Sequence, residues 1–173
     1  MYTSRWFILV VLITSCIVLD IVSPVNAVGR NLEFSSWKFS SFKAPSGKFY
    51  CSIMSAVSNQ NVGQNIVIKG SPSSNHLVID LYKDKWNRQE GSTVNVMFDF
   101  GNNQPLTLPA YADGHILDIE LPAEYTAIFL LEVAERSMLQ IIFPDDNEDT
   151  WVISGQGARE AVKRMVPCLR AAH

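Results

Sequence analysis

At 173 residues, 47% of them hydrophobic and 18% charged, the chain is sized for one domain and is too short for a nucleotide enzyme built of two lobes. Its apolar content excludes wholesale disorder. With 14 basic residues against 17 acidic ones, the net charge of -3 removes the electrostatic basis for general nucleic-acid binding.

The first 27 residues read as a secretory signal. Arg5 gives a positive start, Trp6 to Ile13 is an unbroken apolar run, and Val25-Asn26-Ala27 offers small residues for cleavage after Ala27. From Trp6 to Leu19 only 14 residues precede Asp20, short of the roughly 20 that span a bilayer, so no stable membrane span is expected in the mature chain. A second reading stays open, because Ile13-Thr14-Ser15-Cys16 resembles a lipobox that would make the protein an envelope lipoprotein through Cys16. The apolar stretch after Cys16 is unlike the polar tether such proteins carry. Residues 28–173 then form a single exported domain, periplasmic or secreted. Cleavage removes one base and one acid, Arg5 and Asp20, and leaves the net charge unchanged.

Two cysteines remain, Cys51 and Cys168. An even pair in an exported chain points to a disulfide closing a loop of 118 residues, counting both ends; two buried free thiols are the alternative. The pair is too sparse for structural zinc. The mature chain has no Asn-x-Ser/Thr site, in keeping with a bacterial envelope protein.

Beyond the leader, Asn31 to Gly47 interleaves serines with Phe34, Trp37, Phe39 and Phe42 and reads as an opening strand or arm that packs through Trp37, ending in the Ala44–Gly47 turn. Alternation then marks strands at Lys48–Val57, Gln64–Lys69, His76–Lys83, Thr93–Phe100 and His115–Leu121, with turns at Gly70–Asn75 and Gly101–Asn103. Pro122 opens a helix that continues to Arg136. Strands at Met138–Phe143 and Thr150–Ser154 flank an acidic turn. The final helix starts near Gly155, faces Ala158, Ala161, Val162, Met165 and Val166 inward, and is ended or kinked by Pro167. The class is α+β: mainly antiparallel sheet or sandwich with two helices, the second tied back by the disulfide.

Few residues point to chemistry. His76 and His115 could act as bases oriented by Asp80 or Asp113, but no nucleophile elbow accompanies them and both sit at ordinary surface positions. Asp145, Asn147 and Asp149 match the first ligand spacings of a calcium loop, which then fails at Thr150 and Gln156; a solvated turn is the plainer reading, and no metal site is assigned. Ser154-Gly155-Gln156-Gly157 could hold an anion at a helix start, yet Ala158-Arg159 stands where a phosphate loop needs Lys-Ser/Thr, so tight strand-to-helix packing is expected. No cofactor is implied. In the polar loop from Lys83 to Gly91, Trp86 and Arg88 are the candidates for an interaction surface, unless Trp86 tucks under its own hairpin.

In order along the chain, Trp37 leading into a strand with Cys51, Val94-x-Val96-x-Phe98-Asp99, Leu139-x-Ile141-x-Phe143 and Ile153-Ser154-Gly155-x-Gly157-Ala158-x-x-Ala161 resemble the invasion-associated locus B family of small exported alphaproteobacterial proteins. The resemblance spans most of residues 34–170; the mid-chain cysteines common in that family are absent. It implies a periplasmic or surface β-rich domain, linked in some bacteria to host-cell association, with no known catalytic residues. The expected function is therefore non-enzymatic binding in the periplasm or outside the cell, in envelope function or host association, through a protein partner not identified by sequence. Two alternatives are an inhibitor or immunity protein acting through residues 83–91, and a small envelope hydrolase using His76 or His115.

Overall fold

The computed structural model describes residues 29–57, 63–74, 76–102 and 104–171. The segment expected to be a secretory signal, with the expected cleavage at Ala27 and the alternative lipidation at Cys16, lies outside the described residues. Ten strands and two helices follow in the order β1 (Asn31–Phe34), β2 (Trp37–Lys43), β3 (Phe49–Ala56), β4 (Gln64–Gly70), β5 (Leu77–Lys83), β6 (Thr93–Asp99), β7 (Leu106–Asp113), β8 (Ile116–Leu121), α1 (Ala123–Glu135), β9 (Met138–Ile142), β10 (Trp151–Ser154) and α2 (Ala158–Arg170). All ten strands join one antiparallel sheet, ordered β1-β2-β3-β4-β5-β8-β7-β6-β9-β10.

The alternation that marks the strands also decides which face is buried. Ile66 and Ile68 on β4, Ile79 and Leu81 on β5, and Leu117 and Ile119 on β8 are fully buried, while the residues alternating with them are half-buried or exposed. One core collects these side chains with Trp37, Trp151, Phe98 and the inner residues of both helices. Phe129 of α1 meets Phe98 and Phe100 edge-on, with ring centres 5.3 and 5.4 Å away.

The two ends of the sheet come together without pairing as strands. Trp37 Nε1 on β2 donates to the Ser154 carbonyl on β10 at 2.7 Å, and the Ser36 N–H donates to the Gln156 carbonyl at 3.2 Å. The closure demands glycine. Gly157 adopts φ +85°, and a Cβ there would overlap the Phe34 carbonyl; at Gly155 a Cβ would overlap the Arg136 carbonyl. The glycines thus permit the tight strand-to-helix packing expected of them. Gly157→Ala should cost about 2 kcal/mol in urea unfolding, and an unchanged midpoint would mean the closure tolerates a side chain.

Two details differ from the sequence reading. β7 carries no clear strand signal because its inward positions include the small Ala110 and Ala112 and because Pro109 interrupts it. The proline is accommodated because β7 pairs with β8 only from Tyr111 onward, which leaves the strand a partner on one side at Pro109. The final helix begins at Ala158, after Gly157, and does not stop before Cys168. It runs through Pro167 to Arg170, and the missing N–H deprives only the Lys163 carbonyl near the helix end.

The disulfide forms as expected: Cys51 on β3 is bonded to Cys168 on α2, with their Cα atoms 6.1 Å apart. It ties α2 across β1, β2 and β3. Among the described residues, no helix is long and apolar enough to cross a membrane.

Candidate functional site

Helices α1 and α2 lie side by side and antiparallel, with Arg159 near the start of α2 paired to Glu135 at the end of α1. Ala127, Leu130, Leu131 and Ala134 have the spacing that puts them on one face of α1. Val162, Val166 and Leu169 do the same on α2. The faces meet over Leu77 without filling the space between them, because Ala127 and Ala134 are small. The result is an open groove of ≈ 410 Å³, walled by these residues, with Ser74, His76, Thr126 and Arg170 gathered at one end. That volume is within the usual range for small-ligand sites.

The helix beside the groove is apolar on more than the face it buries. Phe129, Leu130 and Val133 point into the core, yet Ile128 and Leu131 remain 55% and 56% exposed and Tyr125 is 41% exposed. A helix serving only the core would carry polar residues at these positions. The signal was present in Ala127-Ile-Phe-Leu-Leu131, a run too apolar for one stripe.

At the polar end, His76 Nδ1 sits 3.2 Å from the Ser74 hydroxyl, and His76 Nε2 sits 3.5 Å from a Glu120 oxygen. Strand pairing supplies that acid: Val78 is in register with Glu120, which puts Glu120 diagonally across from His76 on the same face of the sheet. The set could move a proton, but it is exposed and the serine oxygen also accepts from the His76 N–H in a local turn. Asp80, named as a partner for the histidines, instead binds Lys69 at 2.5 Å. Burial raises the Asp80 carboxyl above the ordinary range; the Lys69 hydrogen bond and charge oppose this, and Asp118 across the sheet adds to it. His115 lies at the opposite end of the β5–β8 pair, about 20 Å of strand away, so the two histidines do not share a site.

The structure places Trp86 inside the protein. It is 6% exposed, stacks on Trp151 with ring centres 5.2 Å apart, and meets Phe143 edge-on. Its aromatic partners come from outside its own loop, Phe143 just after β9 and Trp151 on β10, while Arg88 of the loop covers the ring. Glu148 is the hub, accepting from Trp86 Nε1 at 2.8 Å, Trp151 Nε1 at 3.0 Å and Lys83 Nζ at 2.6 Å. Arg88 lies over the Trp86 ring and pairs with Asp146 at 2.5 Å. What the 83–91 loop presents outward is Asp84, Lys85, Asn87, Gln89 and Glu90. The acidic turn is likewise engaged internally, since Asp145 accepts from Asn95.

Neither a family model nor a curated protein matches this sequence. Among solved structures, the chain is similar to the crystal structure of invasion associated protein B from Bartonella henselae. The identity is 9% and the TM-score 0.51, over 82% of this chain and 99% of the other. At that identity the likeness concerns the fold.

Proposed function

We propose that the protein is a non-enzymatic binding protein of the periplasm or cell exterior that engages an apolar ligand on its α1–α2 face. The observation that carries this reading is the open apolar groove flanked by exposed Ile128 and Leu131. The leader and the Cys51–Cys168 bond support an oxidising compartment. The likeness to a protein named for invasion, together with the sequence resemblance, supports a place at the envelope or the host boundary.

The test is saturable binding of an apolar fluorescent dye, anilinonaphthalene sulfonate, to the oxidised protein and to Ala127→Trp. Ala127 is exposed at the groove wall, so an indole there fills space without invading the core. Dye affinity should fall at least tenfold while the Tm is unchanged. Equal affinity in the variant would end the groove reading.

A second reading, a small hydrolase, is favoured by one observation, the Ser74–His76–Glu120 arrangement at the groove mouth. Turnover of short acyl nitrophenyl esters that disappears in Ser74→Ala would establish it; turnover equal in both proteins would not. An inhibitor role through residues 83–91 has to use the exposed polar tips of that loop, because Trp86 is enclosed.

A further inference from the structure

We propose that the groove binds a single-chain amphiphile with an anionic head, its tail between α1 and α2 and its head against Arg170 and His76. This assignment rests on the groove reading above and adds the chemistry of the occupant. It follows from how polarity changes along the groove. From Thr126 to Ala134 the wall runs for about 12 Å at the helical rise, and its body is aliphatic. Polar side chains gather only at the Arg170 end, where Ser74, His76 and Thr126 are found.

Arg170 also borders a second hollow of ≈ 480 Å³, lined by Lys48, Ser71 and Ser73. A tail in the first hollow therefore leads its head toward two cations, a histidine and several hydroxyls. Among the described residues no carboxylate lines either hollow, a local reversal of sign in a chain of net charge -3. Glu120 reaches this end through its contact with His76. Among the described residues Arg170 has no acidic partner. The C-terminal dipole of α2 disfavours an anion here, so the side-chain cations must carry the contact.

Volume argues for a chain over a helical peptide. Two turns of helix about 10 Å across occupy roughly 850 Å³, about twice the groove. Such a helix could rest on the rim, while an extended alkyl chain can enter.

The experiment titrates the oxidised protein by calorimetry with three ten-carbon probes below their micelle-forming concentrations: decanoate, a decyl glucoside and decyltrimethylammonium. Decanoate should bind at least tenfold more tightly than the ammonium. Arg170→Gln should abolish that preference and leave glucoside affinity unchanged. Ala127→Trp should weaken all three. If the wild-type protein binds decanoate and the ammonium alike, or if Arg170→Gln keeps the preference, the head assignment is overturned while the groove reading survives. If no probe binds yet the dye site persists and an amphipathic helical peptide displaces the dye, the occupant is a helix and the proposal fails. Loss of both dye and probe binding at the groove would overturn the function proposed above as well.

Discussion

Replacing Cys168 by Ser is expected to lower the stability of the oxidised protein by about 4–5 kcal/mol, the loop-closure entropy of a cross-link this long. The two cysteines are separated by 117 positions, most of the described part of the chain. The folded state itself loses little. Cys51 is fully buried and a free thiol there behaves as a small apolar side chain, while position 168 is only half-buried and accepts a hydroxyl. The effect therefore acts mainly by freeing the unfolded chain. For a domain of this size the loss corresponds to a fall in Tm of about 10 °C or more. Reductant should produce the same fall in the wild-type protein and none in Cys168→Ser. A wild-type Tm unmoved by reductant would show that the bond contributes nothing.

The same substitution connects stability to the binding groove. Cys168 immediately precedes Leu169 and Arg170, which line the groove and its charged end. Without the bond, the last turn of α2 keeps Ala158, Ala161, Val162 and Met165 as buried anchors, all of them earlier in the helix. The groove end should loosen before the helix does.

What the sequence disclosed follows from the range of the interactions involved. Period-two alternation is local, so β4, β5, β6 and β8 and their buried faces were legible from Ile66, Leu81, Phe98 and Ile119. The inner stripe of α2 was legible for the same reason. β7 was not, since Ala110 and Ala112 carry too little hydrophobic contrast and Pro109 reads as a breaker. The placement of β8 between β5 and β7 was also hidden, and with it the approach of Glu120 to His76. In sequence, a Trp and an Arg in a polar loop mark Trp86 and Arg88 as interaction candidates, because both residue types are favoured at interfaces. The enclosing partners of Trp86, Glu148 and Trp151, come from more than 60 positions away. Two halves of the groove were visible as separate helices, but the gap between them depends on which face each helix turns to the other.

The largest remaining effect is expected at Glu148, whose side chain is 8% exposed and holds Lys83 and both indoles. Glu148→Ala leaves the ammonium and two N–H groups without their acceptor, a loss of about 3–5 kcal/mol. Trp86 and Trp151 emission should shift toward that of hydrated indole, and Glu148→Gln, which keeps one acceptor oxygen, should lose less. The pH dependence has a definite sign. Burial pushes the Glu148 carboxyl upward, but hydrogen bonds from Lys83, Trp86 and Trp151 and the Lys83 charge outweigh it and hold the carboxyl below the usual glutamate range. A depressed folded value gives stability that is fully present above the unfolded value and is lost as pH falls through the folded one. Asp80 works in the opposite direction, because burial raises its carboxyl and protonation relieves the fold as pH drops from that raised value to the ordinary one. Acidification should therefore cost little until it passes below the usual carboxylate range, where Glu148 takes its proton and the Lys83 and indole contacts fail. Measured Tm against pH should fall steeply there in the wild-type protein and less steeply in Glu148→Gln, which has no proton to take up at that position. Parallel profiles for the two proteins would show that the Glu148 charge does not brace the 83–91 loop against β10.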